Sequence, residues 1–189
     1  MHRVAAVSRH VTAQQRQQLQ QPLSRQPTAV AGGGSRKTIL VTGCTSGLGL
    51  ALVENYARMG HRVVGCGRRA DRIADLASRL GGDHIFGVCD TSDEDSVMQW
   101  AAEVLAEVRQ LDVLINNAGV SAGQGMPLWE VPKGTWDQVL GVNVHGVLNI
   151  LRCFVPAMLK QSKGLIVNIS SGTGHSTFDA SGNGCVVAM

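Results

Sequence analysis

The sequence is poor in aromatic residues and in long apolar runs, and each of these two shortages removes a class of function. Only 4% of the 189 residues are aromatic, 16% are charged, and Tyr56 is the single tyrosine. A phenol could therefore act as an acid or base at one position only. No run approaches the roughly 18 apolar residues that a membrane-spanning helix needs, so we expect no membrane contact.

The cysteines also lack the pairing that disulfide frameworks and zinc sites require. Five of them are scattered along the chain, an odd number, and no two form a CxxC pair. This pattern argues against a structural disulfide framework and against a metal site. We interpret them as small buried hydrophobic residues in a reducing compartment. They are Cys44, Cys66, Cys89, Cys153 and Cys185.

The first 36 residues contain no acid, whereas they hold five arginines; the first acid of the chain is Glu54. This leader therefore carries a charge of +5 and the remaining residues −2, so the positive net charge of +3 comes from the leader. A basic, acid-free segment containing Gln, Ser and Thr resembles a transit peptide, which would direct the protein to a chloroplast or mitochondrion. The alternative is a disordered extension of a cytoplasmic protein. Because the leader has no aromatic residue, we do not expect it to bind nucleic acid.

After a Gly-rich linker, short apolar runs alternate with segments of helical periodicity. Five alternations predict an α/β fold, a Rossmann-like doubly wound parallel sheet with helices on both faces, in three layers. We expect Thr91 or Ser92 to cap the third helix and Pro156 to kink the fourth. The predicted strands are 38–41, 63–66, 85–88, 111–115 and 165–169, and the predicted helices are 48–59, 70–80, 94–109 and 135–161.

Three glycines, Gly43, Gly47 and Gly49, lie between the first strand and the first helix. Glycine lets the backbone approach a pyrophosphate closely, and the helix N-terminus offers free N–H groups to its phosphates. The spacing, between a strand and a helix, predicts a dinucleotide site that also includes the intervening Thr45, Ser46 and Leu48. A tight turn without a ligand is the alternative.

After the second strand, Arg68 and Arg69 stand where enzymes specific for NAD often carry an acid for the ribose 2′-hydroxyl. Guanidinium groups suit a 2′-phosphate, so these residues favour NADP(H). Two solvated arginines at a helix start are the alternative.

Polar residues follow the third and fourth strands as well. Asp90 could accept a hydrogen bond from an adenine amino group, or it could belong to the helix N-terminus. Asn117, with Ala118 and Gly119 beside it, could contact the cofactor or tie adjacent strands together. Both pairs of alternatives stay open at this point.

Together these motifs resemble the short-chain dehydrogenase/reductase family over about residues 37–175. Thr42 to Gly49 matches its TGxxxGxG motif, and Asn116 to Gly119 matches its NNAG motif. The resemblance implies that Asn143 is the structural and catalytic asparagine and that Ser171 hydrogen-bonds the substrate carbonyl. Within the family, the chain looks most like the NADPH-dependent pterin aldehyde reductases of plants and algae.

The family also uses a tyrosine about 13 residues after the serine and a lysine four residues later. Those positions correspond here to Gly184 and Ala188. Neither can transfer a proton, and His175 and Asp179 are expected to be solvated loop residues. We therefore expect the family domain to break off after about the fifth strand, near residue 175, with a non-family tail over 176–189.

Two functions follow from the resemblance. The first is an NADP(H)-dependent oxidoreductase that reduces a small carbonyl or aldehyde substrate, inactive in this chain because the tyrosine and lysine are absent. The second is a catalytically silent nucleotide-binding or partner-binding fragment. The resemblance also implies a homo-oligomer formed through the long helix.

Overall fold

The computed structural model describes residues 35–122 and 127–170, in which strands and helices alternate as predicted. The strands are β1 Thr38–Thr42, β2 Arg62–Gly67, β3 Ile85–Val88, β4 Val113–Asn116 and β5 Leu165–Asn168. The helices are α1 Gly47–Arg58, α2 Ala70–Leu80, α3 Glu94–Glu107, α4 Lys133–Leu140 and α5 Gly146–Lys160. A 3₁₀ turn at Leu128–Glu130 precedes α4.

The five strands form one parallel sheet in the order β3-β2-β1-β4-β5. The chain moves outward from β1 to β3 and then returns to the other side of β1. The order therefore reverses between β1 and β4, and in such sheets ligands bind at the carboxyl ends of the strands beside this reversal. The predicted doubly wound parallel sheet is confirmed.

Alternate side chains of each strand point to opposite faces, so two cores form. Leu40, Val64 and Leu114 join the side chains of α3 and α5 on one face. Ile39, Val63 and Ile115 join those of α1 and α2 on the other. Strands buried on both faces read as continuous apolar runs, which is the pattern of β1, β2 and β4.

The long helix is interrupted near its middle, which the sequence did not indicate. A π-helical segment, Gly141–His145, separates α4 from α5, and Pro156 lies inside α5. The change in backbone hydrogen bonding thus lies at Asn143, and the kink expected at Pro156 stays a prediction. Single π-helical turns of this kind occur often at functional sites.

By length and composition alone, the stretch Lys133–Lys160 could cross a membrane, a test that core helices of soluble proteins also pass. In this fold Ile150, Phe154 and Met158 of the stretch are buried against the sheet and α3.

The cap of α3 also differs from the prediction. Asp93, not Thr91 or Ser92, is the N-cap, and its carboxylate accepts hydrogen bonds from the backbone N–H groups of Asp95, at 3.0 Å, and Ser96, at 3.3 Å. The prediction failed because Asp, Ser and Thr are about equally good caps and four of them occur in a row.

Replacing Asp93 by alanine is expected to lower the free energy of unfolding by about 1 kcal/mol, the usual cost of removing a helix cap. Chemical denaturation monitored by circular dichroism measures it. Glu103→Ala, at an exposed position of the same helix, is the control and should change stability by less than about 0.5 kcal/mol. Equal effects of the two substitutions would contradict the assignment of the cap.

Candidate cofactor-binding site

A cavity of about 290 Å³ lies at the carboxyl ends of the strands beside the reversal of strand order. Of the eleven residues predicted to bind the cofactor, ten line it, and Gly47 does not. The ten are Gly43, Thr45, Ser46, Leu48, Gly49, Arg68, Asp90, Asn117, Ala118 and Gly119. Sequence positions up to 76 residues apart thus meet in one place.

Two side chains hold the ends of β1 and β4 together beneath this cavity. The Thr42 hydroxyl accepts hydrogen bonds from the backbone N–H groups of Asn117 and Ala118, both at 3.0 Å. The Asn117 amide donates to the carbonyl oxygens of Thr42, at 2.9 Å, and Gly43, at 3.2 Å. Of the two alternatives for Asn117, the tie between strands is therefore realised, on a residue that also lines the cavity.

The glycine loop brings the backbone into close contact at this point. Gly43 has φ +67°, and a Cβ there would lie 2.9 Å from the Ala118 Cα. A Cβ on Gly49 would lie 2.2 Å from the Gly43 carbonyl oxygen. Only glycine fits at either position without moving the backbone.

The N-terminus of α1 is suited to an anion. Its N-cap, Ser46, makes no side-chain hydrogen bond to the helix, and its first turn holds no acidic residue. The first backbone N–H groups of a helix have no partner within it and carry a partial positive charge. No carboxylate of the first turn competes for them, so these residues fit the phosphates of a dinucleotide.

The structure separates the roles of the two arginines after β2. Arg69 forms an ion pair with Asp71 at 2.7 Å, and this hydrogen bond lowers the pKa of the Asp71 carboxyl. Arg68 lines the cavity and has no ion-pair partner among residues 35–122 and 127–170. Arg68 is thus the guanidinium available to a bound anion.

Asp90 lies three residues before the N-cap of α3 and is not part of that helix. One of its carboxylate oxygens accepts hydrogen bonds from the Ser92 backbone N–H, at 3.0 Å, and the Ser92 hydroxyl, at 2.7 Å. This local turn holds the carboxylate at the cavity wall, where it can still accept a further hydrogen bond.

Three buried thiols lie at or just after the ends of β1, β2 and β3, and one of them, Cys89, is part of the cavity wall. Burial raises the pKa of Cys44 to about 12. The hydrogen bond between the Cys66 and Cys89 thiols lowers the pKa of Cys89 and raises that of Cys66. The interpretation of these three cysteines as buried core residues is confirmed; Cys153 is half-buried, and Cys185 lies outside the described residues.

Asn143, in the π-helical segment, holds the loop that follows β4. Its side-chain carbonyl accepts a hydrogen bond from the Val120 backbone N–H, and its amide donates to the Val120 carbonyl oxygen, both at 2.9 Å. Both ends of the side chain are engaged with Val120. Asn143 is therefore a positioning residue in this structure. Neither of these hydrogen bonds supports the catalytic role that the family resemblance implied.

A second cavity, of about 580 Å³, shares the wall Asn117 to Val120 with the first. On its far side lie Val144, Val147 and Leu148, and Asn168 to Ser170 close it at the sheet edge. The other catalytic candidate, Ser171, lies outside the described residues. None of the described residues that line it carries a side chain that titrates near neutral pH.

Five residues of the first cavity were not predicted. Each is next in sequence to a predicted site residue, Arg68, Asp90, Gly119 or Asn143, so adjacency was the only signal for them. They are Gly67, Cys89, Thr91, Val120 and Val142. Within the part of the chain that the structure describes, no group of three or more His, Cys, Asp or Glu residues could hold a metal ion.

The sequence model of the short chain dehydrogenase family matches residues 37–183. The NADPH-dependent pterin aldehyde reductase of Arabidopsis thaliana is 38% identical over 142 residues, which cover 74% of this chain and 58% of that protein. The serine 3-dehydrogenase of Agrobacterium fabrum is 38% identical over 138 residues, covering 73% of this chain and 55% of that protein. This chain thus spans about half the length of the curated relatives it matches.

Among solved structures, a metagenomic short-chain oxidoreductase in complex with NADP superposes with a TM-score of 0.69 at 34% identity. The superposition covers 75% of this chain and 65% of that one. The family match extends to residue 183, beyond the boundary that the sequence predicted near residue 175. That boundary stays a prediction.

Proposed function

Because this chain belongs to the short-chain dehydrogenase family, we propose that its described domain binds NADP(H) and forms the cofactor-binding part of a carbonyl reductase. The observation that carries the proposal is the cavity at the reversal of strand order. It combines a glycine loop, an uncapped helix N-terminus and the guanidinium of Arg68, which has no protein partner among the described residues. The relatives named above support the choice of NADP(H), since one is NADPH-dependent and another was solved with NADP.

Each part of the cavity has a task in this proposal. The backbone of the Gly43–Gly49 loop and the start of α1 hold the pyrophosphate. Arg68 holds the 2′-phosphate, and the Asp90 carboxylate accepts a hydrogen bond from the adenine. Asn143 keeps Val120 in place, so that the wall between the two cavities stays fixed. When bound, NADPH supplies the hydride that reduces a carbonyl carbon.

Reduction of a carbonyl also needs a proton for the oxygen, and the described residues offer no donor for it. Among the described residues, the wall of the second cavity holds no titratable side chain. Tyr56 lies on α1 and packs into the core on the other face of the sheet. General acid catalysis contributes about 10²–10⁴-fold to such a step, so its loss should lower the turnover by that factor, toward the background rate.

We therefore expect these 189 residues to bind NADPH and to oxidise it with aldehydes at no more than the rate without protein. The measurement is the decay of NADPH absorbance with a panel of aromatic aldehydes that includes a pterin aldehyde. A turnover of about 1 s⁻¹ or more, typical of complete enzymes, would refute the assignment.

A matched control separates the absence of an acid from misfolding. The C-terminal part of the Arabidopsis reductase, starting after the position that aligns with Ser170, is fused in frame after residue 170 of this chain. If the described domain is a working cofactor-binding part, the fusion gains turnover while its NADPH affinity stays within about threefold of the parent. Loss of NADPH binding in both proteins would instead show that the domain does not form the site.

A second function, the binding of a protein partner, is favoured by one observation. β5 carries large apolar side chains that nothing in the described residues covers: Leu165 is 56% exposed and Ile166 is 40% exposed.

A further inference from the structure

We propose that Asn149 is a positioning residue for recognition of the adenine ring. From the buried face of α5 it holds the Thr91 carbonyl oxygen, and it thereby sets where the Asp90 carboxylate stands in the wall of the cofactor cavity. The proposal rests on the proposed function, in which Asp90 accepts a hydrogen bond from the adenine amino group. Asn149 is not among the residues that line the cavity, so it acts through the wall.

The contact joins two buried groups that lie 58 positions apart in the sequence. The Asn149 side-chain nitrogen donates to the Thr91 carbonyl oxygen at 3.1 Å. That nitrogen is the only donor of the side chain, so the carbonyl fixes the orientation of the amide. Asn149 is 9% exposed and Thr91 is 6% exposed. Water therefore cannot readily replace the amide as a partner of the Thr91 carbonyl.

Two glycines let the helical run approach the same turn closely. A Cβ on Gly146, one turn before Asn149, would lie 2.9 Å from the Thr91 hydroxyl oxygen and 3.3 Å from the Thr91 carbonyl carbon. A Cβ on Gly141 would lie 3.6 Å from the Ser92 Cβ. This close contact prevents the turn from moving toward the helix, and the Asn149 bond opposes its movement away.

The turn after β3 also has hydrogen bonds of its own, but these fix only its shape. The Asp90 backbone N–H donates to the Ser96 hydroxyl, and the Asp93 backbone N–H donates to the Asp90 carbonyl oxygen, both at 3.1 Å. Like the bonds from Ser92 to the Asp90 carboxylate, they join residues close together in the sequence. The Asn149 bond joins the turn to α5, so it sets the place of the turn relative to the rest of the cavity.

The same helical run also holds a second loop of the cavity wall. Asn143 bonds Val120 through both ends of its side chain, and Asn149 bonds Thr91. Val120 and Thr91 both line the cofactor cavity. Asn143 thus acts on the part of the wall that the second cavity shares, whereas Asn149 acts on the part that holds Asp90. Loss of Asn149 should therefore impair recognition of the base.

The test compares two reduced nucleotides that differ only in the base, NADPH and its hypoxanthine analogue, in which an oxo group replaces the adenine amino group. Each is titrated into the intact 189-residue chain and followed by nicotinamide fluorescence. A carboxylate accepts from the amino group and repels the oxo group, so the parent should bind NADPH about tenfold or more tightly. Asn149→Leu keeps the size of the side chain and removes its donor, and it should reduce this preference to about twofold or less.

Ile150→Val is the control for a loss of stability alone. Ile150 is buried beside Asn149 on α5 and belongs to the core. Its substitution should lower the melting temperature and leave the preference for NADPH over the analogue within about twofold of the parent value. Asn149→Ser, whose hydroxyl is too short to reach the Thr91 carbonyl, gives the same comparison if thermal unfolding shows that the leucine variant is not folded.

A double substitution tests whether Asn149 acts through the carboxylate. Asp90→Ala should abolish the preference by itself, and adding Asn149→Leu should then change it by less than about twofold.

NADPH binding by the parent separates the possible failures. A parent that binds NADPH without preference over the analogue would overturn the adenine contact, and with it the role of Asn149, while the cofactor site stands. A folded Asn149 variant that keeps the full preference, even with both affinities lowered equally, would show that the residue serves stability alone and would also overturn the proposal. A parent with no saturable NADPH binding would instead overturn the proposed function itself.

Discussion

Replacing Gly49 by alanine is expected to abolish saturable NADPH binding and to lower the stability of the domain. An alanine Cβ at this position would lie 2.2 Å from the Gly43 carbonyl oxygen and 2.5 Å from the Asn117 side-chain nitrogen. Both contacts are far inside van der Waals distance. Gly43 is held by its own close approach to Ala118, so the loop cannot retreat without opening the junction of β1 and β4.

The clash would therefore act on two properties at once. Overpacking of this kind typically costs about 1–3 kcal/mol of stability. It would also displace the Asn117 amide from the Thr42 and Gly43 carbonyl oxygens that it ties together. Because those groups form the floor of the cavity, the pyrophosphate would lose its position.

Fluorescence titration with NADPH and thermal unfolding measure the two effects. Gly134→Ala is the matched control, because a Cβ at Gly134 in α4 would meet nothing within 4 Å. That variant should bind NADPH like the parent. A Gly49→Ala protein with parental affinity would show that the glycine loop does not hold the cofactor.

Replacing Arg68 by alanine is expected to weaken NADPH binding by about tenfold or more while leaving NADH binding within about twofold. A hydrogen bond to a charged group contributes about 1.5–3 kcal/mol, and 1.4 kcal/mol is a factor of ten in affinity. Arg68 is exposed to solvent, so screening places the effect toward the lower end of that range. Arg68→Lys should fall between, since lysine keeps the charge and loses the forked geometry.

Arg69→Ala is the control for this prediction, because Arg69 is already paired with Asp71. It should change NADPH affinity by less than about twofold. If the two arginine variants instead lost affinity equally, or if Arg68→Ala weakened NADH as much as NADPH, the 2′-phosphate would not be bound by Arg68.

The apolar runs and the glycine loop made most of the fold predictable. Strands buried on both faces cannot alternate polar and apolar residues, so Thr38 to Val41 and Val63 to Cys66 stand out in the sequence. Gly43, Gly47 and Gly49 stand between a strand and a helix, a position that predicts the site at the reversal of strand order.

Other features depend on contacts that sequence patterns do not carry. Arg68 and Arg69 are neighbouring residues of the same type, and only the ion pair between Arg69 and Asp71 distinguishes their roles. The π-helical segment at Gly141–His145 contains no residue, such as proline, that would predict a change in helix geometry from the sequence. Both ends of the Asn143 side chain form hydrogen bonds with Val120, which lies 23 positions earlier in the chain. No local sequence pattern predicts a contact at that distance.

We propose that residues 35–122 and 127–170 form an NADP(H) site and that none of these described residues supplies the acid that carbonyl reduction requires. Titration of the intact 189-residue chain with NADPH and with NADH, followed by nicotinamide fluorescence, tests it most directly. We expect one saturable NADPH site per chain and NADH binding at least about tenfold weaker. No saturable signal with NADPH, or equal affinity for the two nucleotides, would contradict it.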